Sequence, residues 1–367
     1  MITPYATARN VRGPLLAAAV ARGHQVTVAA PTPPREIAGP LAELGATYRH
    51  WPVERTTIAP RADLRSLVAL AGIVRELRPD VVLAYQLKAV LLGVPLARWL
   101  RVPRVVVLVN GLGTLFDPAL AGGRAARLGR QAYGLALRHA HEIVFQNTDD
   151  PALLTGLGLL APTQRWRHVP GSGVDLAAFA PHGPRAQATT FTFIGRLLGA
   201  KGVREFVEAA RLLRREQPHA RCRLVGPLEA PSHPDAITRA ELDAWRAAGD
   251  VTYAGVVEDI RTVLADTLAF VLPSHREGLP RTSLEAMAAA LPVITTDTVG
   301  CRDTVVDGET GFLVPLRAPT ALADRMARYL RDPAMAARHG RAGRARAEAR
   351  FGLTAVNQQM LDALALG

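Results

Sequence analysis

The sequence predicts an α/β protein of two facing Rossmann-like domains, each with a parallel sheet between layers of helices. Short apolar runs alternate with amphipathic helical stretches along most of the 367 residues, which is typical of βαβ units. A stretch rich in Pro, Gly and Ala interrupts this alternation near residue 180, after which it restarts. We therefore predict a first domain at 1–172, a second domain at 173–350, and a C-terminal helix at 351–367 that crosses back to the first domain.

In the first half, each predicted strand is a short apolar run and each predicted helix shows 3.6-residue periodicity. The predicted helices are 11–21, 63–77, 89–100, 124–139 and 149–157, and the predicted strands are 25–30, 80–84, 104–109 and 142–146. Only residues 1–4 lie where the first strand of the sheet is expected. We therefore expect the chain to begin inside that strand.

The second half follows a linker predicted at 171–173 and 180–190, and it repeats the same alternation. The predicted strands are 191–194, 221–225, 251–253, 270–273 and 292–296. The predicted helices are 203–215, 237–248, 258–266, 318–330, 334–350 and 354–366, with a further helix that begins at Pro280. Pro292 forces the helix that opens at Pro280 to stop.

Composition favours a globular protein without a membrane-spanning segment. The chain is 49% hydrophobic, and none of its charge-free apolar runs reaches the ~18 residues needed to cross a bilayer. We expect no signal peptide, and Cys222 and Cys301 lack His or Cys neighbours at metal spacing. These features predict a cytoplasmic protein in a reducing compartment. The basic excess of the first half, described next, favours a peripheral position at the inner face of the plasma membrane.

The positive charge is concentrated in the first half. Residues 1–172 hold 20 Lys and Arg against 10 Asp and Glu, whereas residues 173–367 hold 24 against 22. A one-sided basic surface suits a membrane face, a pyrophosphate lipid or nucleic acid, although arginine-rich composition also follows from genome bias. Lys88 and Lys201 are the two lysines among the 44 basic residues, so they mark places that favour a compact point charge.

Two carboxylates bracket the loop between the predicted strand at 270–273 and the next helix. Glu277 lies in the turn and Glu285 lies eight residues later, inside the helix. A helix start offers backbone N–H groups and partial positive charge to a phosphate. Glu285 can then accept from ribose hydroxyls while Glu277 faces the group beyond the phosphates. The alternative is a pair of solvated glutamates near a helix start.

Two glycine-rich turns follow strands. Residues 195–202 (GRLLGAKG) lack the nucleotide-triphosphatase spacing, but Arg196 and Lys201 can still flank a diphosphate. Residues 110–116 (NGLGTLF) match the dinucleotide fingerprint weakly, and a close-packed turn is the alternative. The sequence contains no Asp-x-Asp pair to anchor a magnesium-bridged diphosphate, so we expect no metal.

These motifs together resemble family 4 of the retaining glycosyltransferases, which have the GT-B fold. The resemblance rests on Glu277-x7-Glu285 within SHREGLPRTSLEAMAAALPVI, on the turn at 195–202, and on the VDGETGFLVP segment. The segments QLK (86–88), NGLGTLF, FQNTDD, VPGSGVD and LVGPLE resemble enzymes that extend a sugar on undecaprenyl diphosphate. The short amino terminus departs from the family, as does Asp303, where the family often has Glu.

The resemblance implies a metal-independent hexosyltransferase that uses a nucleotide-diphosphate sugar, expected to be a UDP-sugar, and a lipid-linked sugar acceptor. The first domain would hold the acceptor and the second the donor. Arg196 and Lys201 would neutralise the diphosphate, and Glu285 would bind ribose. Glu277 and the backbone of Gly278–Arg281 would hold the donor sugar. The resemblance implies three catalytic residues, Glu277, Arg196 and Lys201. The residues that it implies for donor binding are Gly195, Arg196, Lys201, Gly278, Leu279, Pro280, Arg281 and Glu285. The candidates on the acceptor side are Lys88, Asn110, Gly111 and Gly113.

Two alternatives stay open: a nucleotide-sugar epimerase on the same fold, and an inactive GT-B partner subunit. No nucleic-acid partner is expected. An anionic membrane is a candidate partner, because Arg124, Arg127 and Arg130 recur every three residues on a predicted helix, interleaved with Leu128 and Tyr133. The alternative for this helix is packing on the sheet with a solvated arginine edge.

Overall fold

The computed structural model describes residue 1 and residues 8–54, 59–116, 123–181 and 188–366. The chain divides into two compact units, the first comprising Met1–Ser172 with Thr354–Gly367 and the second comprising Gly173–Leu353. The expected first strand falls mainly on residues outside this description, as does the middle of the expected linker.

In the first unit, parallel strands alternate with helices. Its helices are α1 (Ala8–Ala21), α2 (Pro34–Ala42), α3 (Pro60–Leu77), α4 (Val94–Trp99), α5 (Arg124–Arg138), α6 (Asp149–Gly156) and, from the chain end, α13 (Leu353–Leu364). Its strands are β1 (Thr27–Ala30), β2 (Thr47–His50), β3 (Val81–Tyr85), β4 (Arg104–Val109), β5 (Glu142–Phe145) and β6 (Trp166–His168). A parallel pair β1-β2 lies beside a parallel sheet of order β3-β4-β5-β6.

Helix α13 is part of the core of the first unit. Its Val356, Met360 and Leu361 are buried in one cluster with side chains of α1, β3 and β4. The guanidinium of Arg104 donates to the carbonyl oxygen of Ala363 at 2.6 and 3.1 Å, which ties the helix end to β4. The last helix therefore stabilises the first sheet, although it lies furthest from it in sequence.

The second unit contains one six-stranded parallel sheet. Its strands are β7 (Thr190–Ile194), β8 (Arg221–Val225), β9 (Thr252–Tyr253), β10 (Thr267–Leu272), β11 (Val293–Thr296) and β12 (Gly311–Val314), in the order β12-β11-β10-β7-β8-β9. Its helices are α7 (Val203–Glu216), α8 (Arg239–Ala247), α9 (Ile260–Ala265), α10 (Arg281–Ala288), α11 (Pro319–Arg331) and α12 (Pro333–Arg350). Because β7 and β10 are neighbours, the loops that follow them meet at the carboxyl edge of the sheet.

The structure confirms the α/β fold class, and it adds elements that periodicity did not predict. Helix α2 lies in a proline-rich stretch, β2 is mostly exposed, and β6 and β12 have three and four residues. The helix predicted at 89–100 begins as a π-helical turn, Ala89–Gly93, before α4. No helix in the described ranges is both long and apolar enough to cross a membrane.

We predict that Leu361→Ala lowers the free energy of unfolding by about 2–5 kcal/mol, because it removes a fully buried side chain from the core of the first unit. Gln359→Ala, on the exposed face of the same helix, serves as the control and should change stability by less than about 0.5 kcal/mol. Denaturant unfolding measures both variants. Equal effects would show that α13 does not belong to this core.

Candidate active site

At the carboxyl edge of the second sheet, the loop after β7 and the loop after β10 are joined by hydrogen bonds. The turn between β7 and α7 presents the carbonyl oxygen of Ala200, which accepts from the backbone N–H of His275 at 2.8 Å and from Ser274 Oγ at 3.2 Å. Gly202 adopts φ +76°, and a Cβ there would lie 2.1 Å from the carbonyl oxygen of Pro273. The approach of the two loops therefore requires glycine at position 202.

Lys201 and Glu277 meet where these loops join. Lys201 Nζ lies 2.5 Å from Glu277 Oε1, and the two side chains are 23% and 13% exposed. The sequence placed both residues at the donor site, and the structure adds that they contact each other directly. A partly desolvated ion pair of this kind holds each charged group in one place.

A third loop, which follows β11, contacts the backbone of Glu277 and Gly278. The backbone N–H of Glu277 donates to the carbonyl oxygen of Val299 at 3.0 Å. Gly300 adopts φ +74°, and a Cβ there would lie 2.4 Å from the carbonyl oxygen of Glu277 and 2.5 Å from that of Gly278. Sequence reasoning missed Gly300, and its only signal was a glycine in the turn after a buried strand.

Glu285 lies on α10, which follows directly after Leu279 and Pro280. It is buried, and its Oε1 lies 2.8 Å from Nε of Arg281, one helical turn earlier. Burial raises the pKa of the Glu285 carboxyl above its usual range, and the charge of Arg281 opposes that rise. A carboxylate stripped of water in this way bonds strongly to any hydroxyl donor that reaches it.

Arg196, which the sequence predicts beside the diphosphate, forms an ion pair with a glutamate of the loop after β8. Its Nη1 lies 3.3 Å from Oε1 of Glu229, in the loop after β8, and the guanidinium is 43% exposed. Gly195 donates to the carbonyl oxygen of Val225 at 2.9 Å. A Cβ at Gly226 would lie 2.0 Å from the Gly195 carbonyl oxygen, so β7 and β8 also approach closely at a glycine.

A side-chain hydrogen bond also links α7 to the loop after β10, and sequence reasoning missed it. His275 Nε2 lies 2.8 Å from Oε1 of Glu205, in the first turn of α7. Burial disfavours ionisation of Glu205, but the hydrogen bond from His275, a backbone hydrogen bond and nearby positive charge together outweigh burial and lower the pKa of Glu205. This contact fixes the start of α7 to the loop after β10.

The acceptor-side candidates lie in the first unit. Lys88 is buried and paired with Asp63 on α3, so its charge is compensated within that unit. Asn110 Nδ2 donates to the hydroxyl of Tyr85 at 3.3 Å. Gly111 and Gly113 have φ values of +122° and +62°, which favour glycine.

Across the described part of the chain, groups of three or more His, Cys, Asp or Glu side chains with metal-binding geometry are absent. Cys222 and Cys301 are both buried as free thiols. Burial raises the pKa of Cys301 to about 11 and that of Cys222 to about 12, so both are neutral at physiological pH.

Two sequence-family models match the chain along most of its length. Residues 8–172 match the glycosyl transferase 4-like domain, and residues 188–332 match the glycosyl transferases group 1 domain. The chain belongs to the family 4 glycosyltransferases. Its fold is GT-B, and it is an enzyme of the glycosyltransferase class. The family predicted from the sequence is therefore confirmed.

Among relatives of this glycosyltransferase is an N,N'-diacetylbacillosaminyl-diphospho-undecaprenol alpha-1,3-N-acetylgalactosaminyltransferase from Campylobacter jejuni. It is 25% identical over 337 residues, which cover 88% of this chain and 86% of the relative. A D-inositol 3-phosphate glycosyltransferase from Kineococcus radiotolerans is 35% identical over 221 residues, 52% of this chain and 49% of the relative.

Solved structures share the fold. Sucrose-phosphate synthase from Thermosynechococcus elongatus has a TM-score of 0.79 at 23% identity, with 96% of this chain and 91% of that chain covered. Anabaena HepE, solved in complex with UDP and glucose, has a TM-score of 0.77 at 17% identity, with 99% and 98% covered.

We predict that Gly300→Ala lowers turnover at least about tenfold, because a Cβ would displace the two carbonyls that position Glu277 and Gly278. Gly308→Ala is the matched control, since Gly308 has φ +73° but a Cβ there would meet open space out to 4 Å. It should cost about 1 kcal/mol of stability without a comparable loss of turnover. Steady-state kinetics at saturating donor compare the two variants. Full activity in Gly300→Ala would contradict this role for the third loop.

Proposed function

We propose that this glycosyltransferase retains configuration, needs no metal, and moves a hexose or N-acetylhexosamine from a UDP-sugar to a polyprenyl-diphosphate-linked sugar. The observation that carries the proposal is the Lys201–Glu277 ion pair at the carboxyl edge of the second sheet. The buried carboxylate of Glu285, on the helix that follows, completes the set of groups that a nucleotide-diphosphate sugar requires.

Lys201 stabilises the leaving group. When the bond between the anomeric carbon and the phosphate oxygen breaks, negative charge develops on the departing diphosphate. An ammonium already fixed at that position stabilises the charge without reorganisation. Arg196 supplies a second cation, because an exposed pair such as Arg196–Glu229 is worth at most about 1 kcal/mol and exchanges readily for a phosphate. The start of α10 adds a partial positive charge.

Glu285 and Glu277 recognise the rest of the donor. The two oxygens of Glu285 can accept from both ribose hydroxyls while Arg281 helps to keep the carboxyl ionised. Glu277 bonds Lys201 through Oε1. A diphosphate that takes over Lys201 leaves the oxygens of Glu277 to accept from a sugar hydroxyl. The backbone of Gly278–Arg281 then borders the sugar.

Donor and acceptor classes rest on different support. The site chemistry accounts for any nucleotide-diphosphate sugar, and the UDP complex of HepE supports uridine as the base. The acceptor is supported by the name of the Campylobacter relative, which acts on an undecaprenol diphosphate sugar, and by the basic excess of residues 1–172. Configuration follows the retaining chemistry implied by the family resemblance.

The proposal is tested by incubating the purified protein with a panel of nucleotide sugars and a polyprenyl-diphosphate sugar, with and without EDTA. We expect one UDP-sugar to give a lengthened lipid-linked glycan whose anomeric configuration, measured by NMR, matches that of the donor. Loss of activity in EDTA that magnesium restores would contradict metal independence. Interconversion of the nucleotide sugar alone would indicate an epimerase, and donor binding without turnover would indicate a binding subunit.

We predict that Lys201→Ala and Glu285→Gln each lower turnover at least about tenfold. Since burial raises the pKa of Glu285, the ionised carboxylate opposes folding, and replacing it with a neutral amide should not reduce the melting temperature. Turnover and thermal unfolding are measured on the same preparations. Unchanged kinetics in either variant at saturating donor would remove that residue from the site.

We further propose that α5 contacts an anionic membrane. Tyr133 and Leu137 face the core of the first unit, whereas Leu128 and Leu135 are 69% and 59% exposed on the other side of the helix. Arg124, Arg127 and Arg138 are exposed beside these leucines. Apolar side chains flanked by arginine suit the headgroup region, where each charge contributes about 1 kcal/mol on anionic lipid.

We predict that an Arg124/Arg127/Arg130→Gln variant loses most of its binding to anionic vesicles at low salt. An Arg338/Arg341/Arg350→Gln variant of α12 in the second unit changes the net charge equally and serves as the control. Vesicle sedimentation at low and high salt compares them with the wild type. If both variants sediment equally well, α5 is not the membrane contact.

A further inference from the structure

The glycine-rich turn between β7 and α7 resembles a phosphate-binding loop in composition, but its amides are already bonded within the chain. Each backbone N–H from Leu197 to Gly202 donates to an oxygen of the protein, at distances of 2.6–3.1 Å. In a phosphate-binding loop, such N–H groups point at the phosphate oxygens instead. An anion that binds at this turn is therefore held by the side chain of Lys201 rather than by these amides.

A carboxylate takes the part that a bound anion plays in a phosphate-binding loop. Asp235, in the loop after β8, accepts from the N–H of Ala200 through Oδ2 at 2.6 Å. Its backbone carbonyl oxygen accepts from the N–H of Gly199 at 2.9 Å. Two successive amides of the turn are thus bonded to one residue, and one of those bonds is strengthened by the negative charge of its acceptor.

Gly199 allows the carboxylate to come this close. A Cβ at position 199 would lie 2.4 Å from Oδ1 of Asp235 and 2.4 Å from Nη1 of Arg204. Arg204, in the first turn of α7, lies 3.9 Å from the same Oδ1 and 2.9 Å from Glu241. The carboxylate of Asp235 therefore has both an amide and a cation beside it, and its approach to the turn requires glycine at position 199.

The loop after β8 is itself held in place along the turn. Its first residues are fixed by the N–H of Leu197, which donates to the carbonyl oxygen of Pro227 at 2.9 Å, and its last residues by the N–H of Ile237, which donates to the carbonyl oxygen of Leu197 at 3.1 Å. Between these bonds, the N–H of Asp235 donates to Nδ1 of His233 at 3.2 Å. Asp235 is thus presented to the turn by a loop that is bonded on both sides of it.

Ala200 is held at both of its peptide groups as a result. Asp235 accepts from its N–H, while its carbonyl oxygen accepts from the N–H of His275 at 2.8 Å and from Ser274 Oγ at 3.2 Å. Lys201 is the next residue, so these contacts determine where the backbone of Lys201 begins. A displacement of that backbone would move the ammonium at the end of the side chain.

We infer that Asp235 is a positioning residue, whose carboxylate acts as a resident anion of the turn and places the ammonium of Lys201 where the donor diphosphate binds. The inference rests on the proposed function, in which Lys201 stabilises the leaving diphosphate. Asp235 acts only through Ala200 and Lys201 and does not touch the donor.

The test compares Asp235→Ala and Asp235→Asn with the control Asp243→Ala, which removes an exposed carboxylate of α8 that pairs with Arg246. We expect Asp235→Ala to lower turnover at least about tenfold at saturating donor and acceptor, with the acceptor KM unchanged. Asp235→Asn should stay within about threefold of the wild type, because its amide oxygen can still accept from the N–H of Ala200. Asp243→Ala should turn over like the wild type.

Two further arms separate positioning from a general loss of structure. Formate at about 0.1 M should raise the turnover of Asp235→Ala at least about threefold, because a small carboxylate can bind the amides left unbonded, and it should not raise that of Asp243→Ala. The double variant Lys201→Ala/Asp235→Ala should be no more than about twofold slower than Lys201→Ala, because Asp235 acts through Lys201.

The outcomes that overturn the inference are distinct from those that overturn the proposed function. If Lys201→Ala is slow and Asp235→Ala turns over like the wild type, the inference fails and the proposed function stands. Equal losses in Asp235→Ala and Asp235→Asn without a response to formate, or multiplied losses in the double variant, would assign Asp235 a merely structural role. Full turnover in Lys201→Ala would overturn the proposed function and the inference together.

Discussion

The ion pair between Lys201 and Glu277 joins the two loops on which the proposed donor site is built. The loops follow β7 and β10, which are adjacent in the sheet, and the carbonyl of Ala200 fastens one to the other. The pair neutralises two charges that would otherwise be costly at 23% and 13% exposure. As a result, the ammonium is held at the sheet edge, where we propose that the diphosphate of the donor binds.

Glycine makes this geometry possible. Gly202, Gly226 and Gly300 each lie so close to a carbonyl oxygen of a neighbouring loop that a Cβ would clash at 2.0–2.4 Å. At all three positions φ is positive, which L side chains rarely adopt. The loops after β7, β8, β10 and β11 are therefore packed backbone against backbone, and the side chains between them have little freedom. A rigid support of this kind is what a preorganised site requires.

Strands that are buried apolar runs could be predicted well from the sequence. The bounds of β4 and β8, Arg104–Val109 and Arg221–Val225, are those the pattern indicated. Periodicity failed where burial does not dictate sequence, as in exposed β2, and where proline interrupts the pattern, as in α2. The family resemblance placed Glu277, Glu285 and Lys201 at one site, and the structure shows Lys201 and Glu277 in contact.

The partners of the site residues could not be predicted, because they depend on strand order. Lys201 and Glu277 are 76 residues apart in sequence, and they meet because β7 and β10 are neighbours in the sheet. The contact of Arg196 with Glu229, in the loop after β8, also depends on strand order. The role of Arg196 as a diphosphate ligand stays a prediction. A glycine in the turn after a buried strand was the one sequence signal for Gly300, and it does not reveal which backbone groups Gly300 contacts.

The affinity of UDP for the Glu277→Gln variant tests the central claim most directly, because UDP carries the diphosphate but no sugar. If Glu277 and the diphosphate compete for Lys201, neutralising Glu277 frees the ammonium. Calorimetric titration should then show UDP binding about two- to fivefold more tightly than to the wild type, with weaker binding in Lys201→Ala. Unchanged or weaker UDP binding in Glu277→Gln would contradict the account.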